Sequence, residues 1–341
     1  MSAILSDMPW LAPQWTQWLQ LSERLGHAYL LSGPKGIGLE RFVAHIAQTA
    51  LCLSPQNHEG CGVCKGCHLF KTAQHPDFYT LGCLEDKKEI GVDQVRGLMS
   101  KLNETSHQGG YKVIWIDGVG RMNASAFNAL LKTLEEPASG TLFLLTTHQM
   151  GRLPATIKSR CQSLAFGTPP LPQSMAWLQA RLPQIDLALI KRALRVCWGS
   201  PLAAQAWIEG GEFAQDTQWN DGIKSLMNGH KTVSEVVKPW LKWPQPEAVF
   251  DYFYLWSVSS LRQASYNTDA VFSQPRHQVQ NQVQNQLRFQ QAVLQAKQAW
   301  LGNANKELVL ETLCLEWLRI AHTSAPLQTA FASKLIKGTL P

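Results

Sequence analysis

The chain has 341 residues, too many for one typical domain of about 100–200 residues, so two or three are expected. With 45% hydrophobic and 16% charged residues it has the make-up of an ordinary globular protein, and apolar runs such as Val113 to Ile116 fall far short of the roughly 20 residues that span a bilayer. A net charge of +6 is compatible with a place near DNA, but the Lys and Arg residues are scattered and form no basic run that would mark a nucleic-acid patch.

The first residues, Met1 to Asp7, lack a basic segment followed by an apolar one, so no secretory signal is read and a cytoplasmic location is expected. From residue 1 to about 166, short apolar runs then alternate with helical patterns, the signature of an α/β domain with a largely parallel sheet. His27 to Ser32 reads as a buried strand, followed at once by the glycine-rich turn Gly33 to Gly38 and an apolar-periodic helix. Tyr111 to Asp117 and Thr141 to Thr147 read as further strands. Between them Phe127, Leu130, Leu131 and Leu134 fall on one face of a helix that stops at Pro137.

After Thr168-Pro169-Pro170-Leu171-Pro172 the strand signals cease, and this proline cluster predicts a boundary. The expected organisation is an α/β domain over 1–166, a small helical unit over 167–208 and a larger helical region over 209–341. Within the last, Val279-Gln280-Asn281-Gln282 is repeated as Val283-Gln284-Asn285-Gln286; the biased segment 278–297 reads as a solvated helix or a loop and names no partner. Leu310, Leu313, Cys314, Trp317 and Leu318 form an amphipathic stripe expected in a bundle core.

Of the eight cysteines, Cys61, Cys64 and Cys67 stand at two-residue gaps, and Cys52 lies just beyond the first predicted helix of the α/β domain. Four sulfurs suit tetrahedral Zn²⁺, bound by thiolates at about 2.3 Å, and glycines in the short gaps let the sulfurs converge. With every position taken by sulfur, no site remains for water, so the metal is expected to be structural. Buried free thiols or a redox Cys-x-x-Cys remain as alternatives. Cys83, Cys161, Cys197 and Cys314 are isolated and read as packed.

A phosphate-binding loop needs G-x-x-x-x-G-K-[ST], with backbone amides around the phosphates, Lys on the β/γ oxygens and a hydroxyl on Mg²⁺. Gly33, Gly36 and Gly38 supply the frame, but Leu39 replaces the cation and Glu40 the hydroxyl. A carboxylate suits a helix N-terminus yet repels a triphosphate, so ATP is not expected to bind. The strand ending at Asp117 offers a Walker B-like aspartate, and Gly118 stands where a water-activating Glu is needed.

Taken together, Asn128 to Pro137 (NALLKTLEEP), Leu145-Thr146-Thr147 and Leu153 to Cys161 (LPATIKSRC) resemble the AAA+ clamp-loader family, and the cysteine insertion narrows the resemblance to the clamp-loader subunits of bacterial DNA polymerase III. The resemblance is strong over about the first half of the chain; beyond residue 170 it rests on helical character and Gly199-Ser200-Pro201. It implies an AAA+ domain with a RecA-like parallel sheet and a zinc module at about 52–67, an all-α lid and an all-α collar that joins subunits. Leu39 and Glu40 set the chain apart from the ATP-binding gamma/tau subunits, and Pro201-Leu202 stand where those relatives carry a lid arginine after Gly-Ser. The implied role is therefore a non-ATP-binding stator within an assembly with gamma/tau and delta, part of the polymerase III holoenzyme, that loads the sliding clamp onto primed DNA. The resemblance also implies that Arg160, flanked by Ser159 and Cys161, acts in trans as an arginine finger at a neighbour's ATP site, whereas a lone Arg beside a strand reads as a solvated surface residue. An active ATPase, motivated by the glycine turn and Asp117, and a zinc-dependent nucleic-acid-binding protein, motivated by the cysteines and the positive charge, stand as the alternatives.

Overall fold

A computed structural model describes residues 3–84, 87, 89–102, 105–108, 110–266 and 276–323. Two compact units emerge, one of residues 1–182 with 197–204 and one of 183–196 with 205–341, a coarser division than the three parts read from sequence.

The first unit opens with α1 (Ala3–Asp7) and α2 (Ala12–Ser22), and is built on a five-stranded parallel sheet. Its strands are β1 (Ala28–Ser32), β2 (Phe78–Leu81), β3 (Lys112–Ile116), β4 (Thr141–Thr147) and β5 (Gln162–Ala165), in spatial order β2-β3-β4-β1-β5. Every residue of β1 and β4 is buried, as central strands covered on both faces require. The period-two geometry of a strand sends Leu30 into one core with Ile114, Ile116, Phe143 and Leu145. That core is closed by α5 (Val92–Leu102), α6 (Ala124–Glu135) and the single turn α7 (Ala155–Lys158) through Val95, Leu98, Leu130, Leu134 and Ile157. Over the opposite face lies α3 (Leu39–Ala50), whose Phe42 meets Trp15 and Phe166 edge-on at 6.0 and 5.0 Å. Between α3 and β2 the cysteine-bearing insertion includes the short helix α4 (Lys65–Lys71), and α8 (Leu171–Arg181) follows β5.

This strand order interposes β4 between β1 and β3 and brings the loops after all three to the carboxyl edge of the sheet. In open α/β sheets that is where ligands bind. The glycine turn, Asp117 and His148 therefore share one edge.

Among the described residues of the second unit there is no strand. Its helices are α9 (Leu187–Val196), most of α10 (Pro201–Glu209), α11 (Phe213–Met227), α12 (Val233–Trp240), α13 (Ala248–Tyr266), α14 (Arg276–Leu301) and α15 (Lys306–Thr323). Its core is aromatic, with Trp219, Trp240, Trp243, Phe250, Phe253, Phe289, Trp300 and Trp317 all buried. The stripe read from sequence faces inward: Leu310, Leu313, Cys314 and Trp317 are buried and Leu318 packs beside them. The Gln-rich repeat lies in α14, where the helical alternative holds. No helix among the described residues is long and apolar enough to cross a membrane.

Candidate functional site

The glycine turn has the geometry of a phosphate cradle, with Gly36 and Gly38 at φ +74° and +95°, values that L side chains rarely adopt. Protein packs closely against its glycines. A side chain at Gly36 would stand 2.5 Å from the Cβ of Ala203, and the Leu202 amide donates to the Gly36 carbonyl at 3.0 Å. At the start of α10, Pro201 has no amide to offer and that of Leu202 is taken by the loop. From another side Met8 lies against Gly38, and the Trp10 indole donates to the Ile37 carbonyl at 2.8 Å while its ring meets Trp177 edge-on at 5.1 Å.

Leu39, at the lysine position, is fully buried. Glu40, at the hydroxyl position, pairs at 3.0 Å with Nε2 of His148, whose Nδ1 lies 2.9 Å from the Gly33 carbonyl oxygen. Glu40 is thus engaged by a protein side chain. The hydrogen bond to His148 pulls the Glu40 carboxyl below its usual value near 4.5, and that to Glu40 lifts the His148 imidazole above its usual 6.5; Lys35 is the other charge acting on both. The lifted histidine contributes stability that is complete below pH 6.5 and fades as pH rises through its folded value, while the lowered glutamate contributes stability present above 4.5 and lost as pH falls through its own. The melting-temperature penalty of His148→Gln is therefore expected to be largest between about pH 4.5 and 6.5 and to shrink as the pH rises above that window, with solvent screening keeping the gain near 1 kcal/mol or less. A penalty independent of pH would mean that packing, not charge, holds His148.

At the end of β3, the Asp117 carboxylate accepts from the Thr146 hydroxyl at 2.9 Å, and that hydroxyl accepts from the Gly118 amide at 3.2 Å. Gly118 has φ +69°, and a side chain there would meet the Arg121 guanidinium at 2.8 Å. A glutamate base could not be restored at this position without strain.

Arg160 stands away from that edge, just beyond Ser159, the C-cap of α7. Its Nη2 donates to Glu135 at 2.5 Å and its Nη1 to the Thr156 carbonyl at 2.9 Å, with the side chain 34% exposed. Ser159 donates to the Thr156 carbonyl at 3.1 Å and finishes the turn. Cys161 packs against the core, where burial pushes its thiol up to about 11.

The Sγ atoms of Cys52, Cys61, Cys64 and Cys67 all lie within 4.8 Å of one another. The Cys52–Cys64 separation of 3.7 Å excludes a disulfide and is close to the roughly 3.8 Å that a tetrahedron with 2.3 Å metal–sulfur bonds requires. Backbone amides of Ser54 and Cys61 point at the Cys52 sulfur, that of Gly62 at Cys67, that of Cys64 at Cys61 and that of Cys67 at Cys64, at 3.2–3.4 Å. Amides aimed at sulfur stabilise thiolates, the form that binds metal; the donor set fits a metal ion.

Sequence reasoning singled out the cysteines, the departures in the loop and Arg160. It did not connect His148, Ala203, Met8 or Trp10 to the glycine turn, which they reach only through the fold, nor Glu135 to Arg160.

The family profile described as "DNA polymerase III, delta subunit" matches residues 12–170. The DNA polymerase III subunit delta' of Pseudomonas aeruginosa is 36% identical over 323 residues, covering 91% of this chain and 96% of that protein. That of Escherichia coli is 40% identical over 205 residues, 59% of this chain and 61% of that protein. Among solved structures, a gamma subunit-related protein of Thermotoga maritima is similar with a TM-score of 0.46 and 16% identity, over 90% of this chain and 99% of that one.

Proposed function

This chain belongs to the delta-prime family of DNA polymerase III subunits, and we propose that it serves a clamp-loading assembly as a stator that binds no ATP and lends Arg160 to a neighbour's ATP site. Gamma/tau and delta subunits are its proposed direct partners, with the sliding clamp and primed DNA engaged through the assembly, in the cytoplasm. We further propose three parts: an AAA+ domain over 1–166, a lid over 167–208 and a collar over 209–341.

The packing around the glycine turn carries this reading. Ala203 packs on Gly36, Met8 on Gly38, and Glu40 pairs with His148 at the position where the template puts the metal-binding hydroxyl. Protein contacts thereby join loop and lid where ATP joins them in an ATPase, which suits a subunit that does not cycle with nucleotide. Restoring chemistry alone should not restore binding: Leu39→Lys with Glu40→Thr is expected to leave ATP affinity weaker than about 1 mM by calorimetry, because Ala203 and Met8 remain. Micromolar binding by that variant would return the active-ATPase reading.

Zn²⁺ is the ion proposed for the four cysteines, held structurally since no ligand position is left for water. The nucleic-acid-binding alternative finds little support around the module, where Lys71 donates to the Gly62 carbonyl at 3.0 Å. Salt-sensitive DNA affinity of the isolated chain would support that alternative. The whole proposal is tested by reconstitution with gamma/tau and delta: a stable complex is expected, and failure of the native chain to assemble sinks it.

A further inference from the structure

We infer that Glu135 is a positioning residue for Arg160, fixing the guanidinium in the orientation in which it meets a neighbouring subunit; this rests on the finger reading above. Both residues stand on backbone pinned by the core: Leu134, next to Glu135, and Ile157, in the turn before Arg160, are 1% and 0% exposed in the same hydrophobic cluster. Their relative placement is thus set before any partner arrives.

The guanidinium is gripped at two points, Nη2 by the Glu135 carboxylate at 2.5 Å and Nη1 by the Thr156 carbonyl at 2.9 Å. Two acceptors on different elements fix the plane of the fork. A guanidinium carries five N–H donors, so others stay available for phosphate oxygens. Ordering a long, rotamer-rich side chain in advance spares that entropy at the moment of reaction.

The local electrostatics point the same way. Glu135 is the last residue of α6 and Glu136 follows as its C-cap, so two carboxylates occupy the helix end at which the macrodipole disfavours anions. Folding alone would favour a cation or a neutral side chain there. Local rules are broken most often where function requires it, and the Arg160 cation lies against this carboxylate.

The test is a double-mutant cycle in the assembly reconstituted with gamma/tau and delta, reading kcat and KM for ATP under clamp and DNA stimulation. Glu135→Ala is expected to lower kcat about 3- to 10-fold with KM and assembly unchanged, and to have no further effect when Arg160 is already Ala. Glu135→Asp should recover part of the loss. An equal loss in the Arg160→Ala background would show that Glu135 acts independently of Arg160 and would overturn the inference. A faster rate in Glu135→Ala would also overturn it, by making the carboxylate a restraint. If Arg160→Ala itself leaves kcat unchanged, the finger reading has failed, and this inference with it.

Discussion

Replacing Arg160 with Ala is expected to slow ATP hydrolysis at the neighbouring site it serves by about 10³-fold or more, within the range that trans-acting arginines contribute to phosphoryl transfer. Charge accumulates on the equatorial oxygens of the transferring phosphoryl group and on the leaving group. A guanidinium there stabilises the transition state more than the ground state, which is the condition for accelerating chemistry rather than binding. A thousandfold loss corresponds to about 4 kcal/mol of activation free energy. That is far beyond what the Arg160–Glu135 pair contributes to folding, since both side chains are substantially solvated, at 34% and 49% exposure, and such pairs are worth about 1 kcal/mol or less. The variant should therefore fold and assemble normally. Arg160→Lys keeps the charge but loses the fork, so an intermediate rate is expected. Single-turnover hydrolysis, with clamp and primed DNA present, isolates the affected site from any others in the complex. A native rate in a fully assembled Arg160→Ala complex would demote Arg160 to a surface residue.

The parts of the fold that could be read from sequence are those whose burial leaves an unbroken apolar run. β1, β3 and β4 lie inside the sheet and stand out for that reason. β2 and β5 were not anticipated: each has four residues and forms an edge, and only Leu81 in β2 and Leu164 in β5 are buried. Two-sided burial writes itself into sequence, and one-sided edge pairing hardly does. The same contrast divides the site. Cys61, Cys64 and Cys67 announce themselves because the ligands are local, and Leu39 and Glu40 because a template names the residue that should be there. The contacts that close the cradle join Glu40 to His148 and Gly36 to Ala203, across more than a hundred residues, and no periodicity or spacing connects them. The loop defects alone implied lost affinity, whereas the fold adds a steric reason and with it the expectation that restoring Lys and Thr is not enough.

Removing the metal should cost this chain a whole module rather than a single contact. The segment from Cys52 to Cys67 has almost no core of its own: Leu53 and Val63 are 53% and 89% exposed, and of the side chains there only Cys52 and Cys67 are buried. Its backbone is also held at positive φ in Asn57 at 51° and His58 at 63°, a conformation uncommon for residues other than glycine. Hydrophobic burial contributes little to that path, so on the zinc proposal metal–thiolate bonds supply the difference. Apparent binding free energies of about 10–16 kcal/mol for structural zinc in small peptides show that they can, with part of that offset by ordering the loop. Gly66 carries the effect into the domain, because a side chain there would collide with the Leu51 carbonyl, so the module seats tightly against the end of α3. Cys64→Ser, or exhaustive chelation, is therefore expected to destabilise the first unit by at least about 3 kcal/mol. That lowers its melting temperature by roughly 6–12 °C, at about 2–4 °C per kcal/mol for a domain of this size. Limited proteolysis should then cut between residues 53 and 66, where the metal-loaded protein resists. Elemental analysis of the native protein should give one zinc per chain. If the metal-free protein melts and resists protease like the native one, the four cysteines are a packed thiol cluster and the zinc proposal falls, while the packing around the glycine turn and Arg160 stand as before.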